Sequence, residues 1–193
     1  MRPKLVVATK NRHKVDEMQR LLPAIDLMVL DDDMEMPDET GTTFEANALL
    51  KAEAIARATG AWALADDSGL IVDALDGAPG VYSARYAKEG TDEANRMKVL
   101  AELQGQSSRA TMVSVVALVS PRGHQVTTRG EVHGTIVEPK GPFGFGYDPI
   151  FYVEAIGKTF GEATPAEKTA LSHRALAIKQ LTTTPLWRMI IDG

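Results

Sequence analysis

The spacing of apolar positions changes several times along the chain, and each change marks an element. Lys4 to Thr9 (KLVVAT) is a short apolar run with the length of a buried first strand. KNRHKVDEMQRLL follows, with Val15, Met18, Leu21 and Leu22 at helical spacing before Pro23 stops the pattern. Asp26 to Leu30 (DLMVL) predicts a second strand, and DDDMEMPDETGTT a loop in which Asp31, Asp32 and Asp33 are solvated charges. Thr42 and Glu45 stand three apart, as a capping box requires, ahead of an Ala-rich helix, FEANALLKAEAIARAT, that Gly60 ends. WALAD and GLIVDAL are two β-type runs, with Asp66 and Asp67 at the strand end between them.

The second half alternates more. GAPGVYSARYAKEG is a Gly/Pro-broken connection, after which Thr91 caps a helix to about Leu103 that Gly105 ends. RATMVSVVALVS and HQVTTRGEVHGTIV are β-rich and joined at PRG, the pattern of a long hairpin. EPKGPFGFGYDPIF is a Gly-rich loop leading into a short strand. Thr164, Pro165 and Glu167 fit N-cap, N1 and N3 of one helix, and Ser172 caps a last one, HRALAIKQL. A βα-type beginning followed by a long antiparallel hairpin predicts an α/β fold: a mixed central sheet with flanking helices, two lobes about a substrate cleft.

Composition narrows the function classes. A chain of 193 residues predicts a single domain, 1–193, and no apolar run approaches the ~20 residues of a membrane span. Near the N-terminus only Leu5 to Ala8 are apolar, too few for a signal-peptide core, so the expected location is cytoplasmic. The absence of cysteine excludes disulfides, zinc-thiolate sites, iron–sulfur clusters and cysteine nucleophiles. A net charge of −5 argues against a nucleic-acid binder with a broad basic face. It is compatible with a small anionic ligand held by a few lysines and arginines and a metal ion.

Several stretches carry candidate chemistry, each beside a plainer reading. The turn TKNRHK places Thr9, Asn11 and Lys14 at a helix start, which suits phosphate or serves as an ordinary cap. Glu39, Asp66 and Asp67 offer carboxylates from two elements, which suits Mg²⁺, whereas Asp66–Asp67 before Gly69 also suits a simple turn. Lys51 shares a helix face with Asn47 and Ile55 and points either into a cleft or to solvent. The aromatics of GPFGFGYDP can stack on a planar base or pack into a core. His13, His124 and His133 show no metal-ligand spacing.

In order and spacing, TKNRHK, ETGTTFEANALLKA, ALADDSGL…GAPGVYSARYA, GPFGFGYDPIF and EKTALSHRALAIKQL resemble the inosine triphosphate pyrophosphatase family from Lys4 to about Leu181. The resemblance implies Mg²⁺-dependent hydrolysis of non-standard purine nucleoside triphosphates (ITP, dITP, XTP) to monophosphate and pyrophosphate by a cytoplasmic homodimer. It assigns the phosphates to the turn of Thr9, Lys10, Asn11, Arg12, His13 and Lys14, and to Lys51. Glu39 and Asp67 would hold the metal with Asp66 in support, Asp67 would accept the proton of the attacking water, and Ser68 would line the site. Phe145, Gly146, Tyr147 and Asp148 would form the base-side loop, with Lys168, His173 and Arg174 completing the nucleoside pocket. Phe145 is the stacking candidate, and Arg174 or the helix N–H groups near His173 would donate to O6 of the purine, rejecting adenine. Family members often carry Gly where this chain has Lys10. The alternatives are a related pyrophosphatase for other modified nucleotides and a non-catalytic nucleotide-binding module.

Overall fold

The computed structural model describes residues 2–30 and 34–191, so the acidic triplet Asp31, Asp32 and Asp33 lies outside the described residues. A seven-stranded sheet has the order β2-β1-β3-β4-β5-β6-β7. The strands are β1 (Lys4–Val7), β2 (Asp26–Val29), β3 (Ala63–Val72), β4 (Arg109–Val119), β5 (Gln125–Ile136), β6 (Phe151–Val153) and β7 (Lys158–Thr159). The helices are α1 (Arg12–Leu21), α2 (Phe44–Thr59), α3 (Asp92–Leu103), α4 (Pro165–Leu171), α5 (His173–Leu181) and α6 (Pro185–Ile191). β1 runs parallel to β2 and β3, whereas β5, β6 and β7 pair antiparallel, so the sheet is mixed, as its sequence predicts.

The chain divides into two compact units. The first comprises Met1–Asp67, Ser114–Gly130 and Arg174–Gly193. Its core joins Leu5 and Val7 of β1, Leu64 of β3 and Val116 and Leu118 of β4 to α1, α5 and α6. These strand residues alternate along their strands, which puts them on one face of the pleat. The second unit comprises Ser68–Val113 and Glu131–His173, with a core of Leu70, Val99, Ile136, Phe151 and Phe160.

Local chemistry explains most element ends. Asn11 caps α1 by accepting from the N–H groups of His13 and Lys14. Gly60 ends α2 in the left-handed conformation, at φ 63°. Thr164 and Glu167 form the expected capping box of α4. The hairpin turn closes through Ser120, whose backbone N–H donates to His124 O at 2.8 Å and whose hydroxyl accepts from His124 N–H.

Three expectations are corrected. The cap of α2 is Thr43, not Thr42, because the Thr43 side chain accepts from Ala46 N–H. WALAD and GLIVDAL are a single strand, β3, with Asp66 and Asp67 in its interior instead of at its end. HRALAIKQL is not the last helix, because α6 follows. Ser172 joins α4 to α5: its N–H bonds Lys168 O, and its extended backbone (φ −68°, ψ 158°) immediately precedes α5.

Candidate active site

In the first unit the pleat of β3 separates the two aspartates. Successive strand side chains point to opposite faces, so Asp66 shares the face of Leu64 and Asp67 takes the other. Asp66 is fully buried, and both its oxygens meet cations. Lys14 Nζ of α1 lies 3.1 Å from Oδ1, and Arg174 of α5 donates to Oδ2 from Nη2 at 2.8 Å and from Nε at 3.2 Å. The remaining arm of Arg174, Nη1, donates to Glu17 of α1. Two cations and two carboxylates thus balance.

This balance sets the protonation states. Burial alone would raise the Asp66 carboxyl, but Arg174 and Lys14 outweigh it and hold the group well below the usual carboxylate range. Burial also works against Arg174, yet Asp66 and Glu17 keep it firmly charged. Burial lowers Lys14, and Asp66 only partly offsets that effect.

On the opposite face, Asp67 meets α2. Lys51 Nζ lies 2.5 Å from Glu39 Oε1 and 3.6 Å from Asp67 Oδ1. Burial would lower Lys51, but the carboxylates around it, Asp67 first, raise it. For Asp67 burial prevails over Lys51, and the carboxyl is raised. Its Oδ2 is buried without a hydrogen-bond partner, as is Asn47 Nδ2, although the amide stands close enough to favour the charged carboxylate. Asn47 Oδ1 instead accepts from Gly41 N–H at 2.8 Å, which fixes the Glu39 loop against α2.

Glu39 and Asp67 are the residues fitted to a hard divalent cation. Both are oxygen donors, and both converge on one ammonium group. Asp67 Oδ2 is buried beside the Asn47 amide without a hydrogen bond of good geometry, which leaves it able to accept a ligand. Among the described residues no three Asp, Glu or His side chains gather to hold a metal by themselves. Two carboxylates suffice for Mg²⁺, which usually completes its shell with waters and phosphate oxygens. Asp66 stands differently from the sequence expectation, because its two oxygens face Lys14 and Arg174.

The turn from Thr9 to Lys14 is partly closed on itself. Asn11 Oδ1 takes up the N–H groups of His13 and Lys14, and Thr9 Oγ1 accepts from Asn11 N–H at 3.1 Å. Lys10, Asn11, Arg12 and His13 are exposed, whereas the Lys14 side chain is drawn to Asp66.

The second unit gathers the expected base-side residues. Asp148 is buried, and its Oδ2 accepts from Phe145 N–H at 2.8 Å and from Lys168 Nζ at 2.6 Å. Lys168 Nζ also sits 4.6 Å from the centroid of the half-buried Phe145 ring. Tyr147 donates its hydroxyl to Ser83 O at 2.7 Å, and burial raises the phenol so that it keeps its proton. Ser68 is half-buried and His173 buried. Arg174, expected at the purine, belongs to the first unit and directs its guanidinium to Asp66 and Glu17.

Sequence reasoning missed Glu17, Ser83, Asp92 and Arg96. Asp92 accepts from Gly146 N–H and Arg96 donates to Gly146 O, both at 2.7 Å. The spacing of Asp92 and Arg96, one helical turn, was visible, but their partner lies some fifty residues away in sequence.

Known proteins resemble the chain throughout its length. A protein of Leuconostoc mesenteroides named dITP/XTP pyrophosphatase is 47% identical, covering 95% of this chain and 98% of its own. One of the same name from Exiguobacterium is 49% identical, covering 92% and 94%. The solved Ham1 protein of Coxiella burnetii superposes with a TM-score of 0.82 at 41% identity, covering 94% of this chain and 97% of that one. The sequence profile of the Ham1 family matches residues 5–184, and the chain belongs to the Ham1 family.

Proposed function

We propose that the protein is a nucleoside-triphosphate pyrophosphatase acting on dITP, ITP and XTP. The products are the monophosphate and pyrophosphate. The names of its relatives support the substrate class. The observation that carries the chemistry is the division of labour on β3, where Asp66 is locked between the cations Lys14 and Arg174 and Asp67, on the other face, stands beside Lys51 and Glu39.

In this reading a water oxygen attacks the α-phosphorus and gives its proton to the Asp67 carboxylate. The bond from that phosphorus to the bridging oxygen breaks, and pyrophosphate leaves with the electron pair. The raised Asp67 carboxyl suits a proton acceptor, because a base gains strength as its pKa approaches the working pH. Lys51, kept charged by its carboxylate neighbours, offsets negative charge on the leaving group. Glu39 and Asp67 would hold Mg²⁺, which when bound supplies further charge neutralisation for the phosphates. The turn from Thr9 to Lys14 is assigned to the phosphates, with Lys14 oriented by Asp66.

The nucleoside is assigned to Phe145, Gly146, Tyr147, Asp148, Lys168 and His173, with Ser68 lining the site. Because the Arg174 guanidinium is committed to carboxylates, donation to O6 falls to the backbone N–H groups near His173. Asp66 and Arg174 become the residues that orient Lys14. A cytoplasmic homodimer completes the reading, and the mass of the protein in solution tests that part.

The reaction itself is tested by incubating the protein with ITP and Mg²⁺ in ¹⁸O-labelled water. The expected result is inosine monophosphate carrying the label, with unlabelled pyrophosphate. Release of inorganic phosphate with inosine diphosphate would contradict it.

A further inference from the structure

The turn that carries Phe145 is Gly-rich. Gly141, Gly144 and Gly146 all have positive φ, at 88°, 78° and 58°. Such a segment does not hold one conformation by its own propensities, because glycine ranges over more backbone space than any other residue. Something outside it must fix where Phe145 stands.

Two side chains of α3 do so. Asp92 and Arg96 stand one helical turn apart, and therefore on one face of the helix. Asp92 Oδ2 accepts the N–H of Gly146, and Arg96 Nη1 donates to the carbonyl of the same residue. Both polar groups of one backbone unit are thus gripped by charged partners, at 2.7 Å each. Hydrogen bonds to charged groups are the stronger kind. On the other side of Phe145, its own N–H is bonded to Asp148, so the ring is carried between two anchored peptides. The start of α3 is in turn fixed by Thr91, which caps Ala94 N–H, and by Asn95, whose side chain accepts from Ala87 N–H and donates to Ala84 O.

We propose that Asp92 and Arg96 are positioning residues for the nucleoside end of the substrate, clasping the Gly146 peptide so that Phe145 is preorganised to meet the base. The inference rests on the proposed activity, because it is that reading which gives Phe145 its stacking role. Neither residue touches the reacting atoms. Their loss therefore weakens recognition of the nucleoside and leaves the phosphate chemistry intact.

Steady-state kinetics on dITP, with the two products as inhibitors, separates these effects. In Asp92→Ala and Arg96→Ala, KM for dITP and the inhibition constant for deoxyinosine monophosphate are expected to rise about tenfold, equivalent to about 1.4 kcal/mol each. The inhibition constant for pyrophosphate, which has no nucleoside, stays within twofold, and kcat within threefold. Asp92→Asn keeps an acceptor oxygen for the Gly146 N–H and restores KM. Amide exchange at Gly146 in the ligand-free protein is expected to quicken at least tenfold in Asp92→Ala, while the thermal midpoint measures any loss at the head of α3.

An unchanged KM beside quickened Gly146 exchange would overturn the positioning role. A parallel decline in kcat, pyrophosphate affinity and thermal midpoint would reduce the pair to a structural brace and overturn it too. Failure of the unaltered protein to hydrolyse dITP would instead be a failure of the functional reading, and Gly146 exchange together with the affinity for deoxyinosine monophosphate would still judge the clasp.

Discussion

Replacing Asp66 by Asn removes a buried charge without leaving a hole. The side chains are nearly the same size, so the cost is electrostatic. Arg174, 1% exposed, keeps Glu17 but loses the charge of Asp66, and Lys14 loses the same carboxylate. Removing one partner of a buried ion pair costs about 3–5 kcal/mol, because the other charge remains desolvated. In a chain of this length each kcal/mol moves the thermal midpoint by about 2–4 °C. A fall of roughly 6–20 °C at neutral pH is therefore expected by circular dichroism.

The sign of the pH dependence sharpens the test. The folded-state pKa of Asp66 is depressed, so its contribution is complete above the unfolded carboxyl value of about 3.9 and is lost as pH falls below it. The difference between unaltered protein and Asp66→Asn should shrink on acidification from pH 6 to pH 3. Asp67 has the opposite sign: its folded-state pKa is raised, so its charge opposes folding as pH rises through that value. Asp67→Asn should leave the midpoint unchanged or raise it at pH 7. A midpoint for Asp66→Asn within 2 °C of the unaltered protein, or a larger loss in Asp67→Asn, would refute the division of labour.

Other outcomes follow from the same geometry. The rate profile should fall on the alkaline side below the ordinary Lys value, as Lys14 loses its proton; initial rates from about pH 6 to 10 measure this limb. Chelation of divalent cations should abolish turnover and added Mg²⁺ restore it, whereas full activity in excess chelator would remove the metal from the account. Gly144→Ala places a Cβ against the Asp148 carboxylate at φ 78°, so it should cost about 1–3 kcal/mol in chemical denaturation and loosen the Phe145 turn.

Much of the fold was readable from local signals. Thr91, Thr164 with Glu167, and Gly60 marked helix ends because caps act within one turn. Helix α6 went unread, although Thr184 ahead of Pro185 is the cap pattern that opens it, with Trp187 N–H on Thr184 Oγ1. Strand β7, two residues long, has no period to detect. The break expected at Asp66–Asp67 did not occur because the charges that permit a continuous strand arrive from Lys14, Lys51 and Arg174, on three helices. Residue identities named Asp67 as the active carboxylate only through family resemblance. The pleat and the helices on either side are what distinguish it physically from Asp66. The roles of Glu17 and of the Asp92–Arg96 pair were not legible in the sequence, since their partners are distant along the chain.

Pyrophosphate release from dITP, XTP, dATP and dGTP with Mg²⁺, for the unaltered protein and for Asp67→Asn, tests the central claim most directly. The account predicts kcat/KM at least a hundredfold higher for dITP and XTP than for dATP and dGTP, and a loss of about 10²–10⁴-fold in kcat for Asp67→Asn in a protein that still folds. Equal rates on all four nucleotides, or full activity in Asp67→Asn, would contradict it.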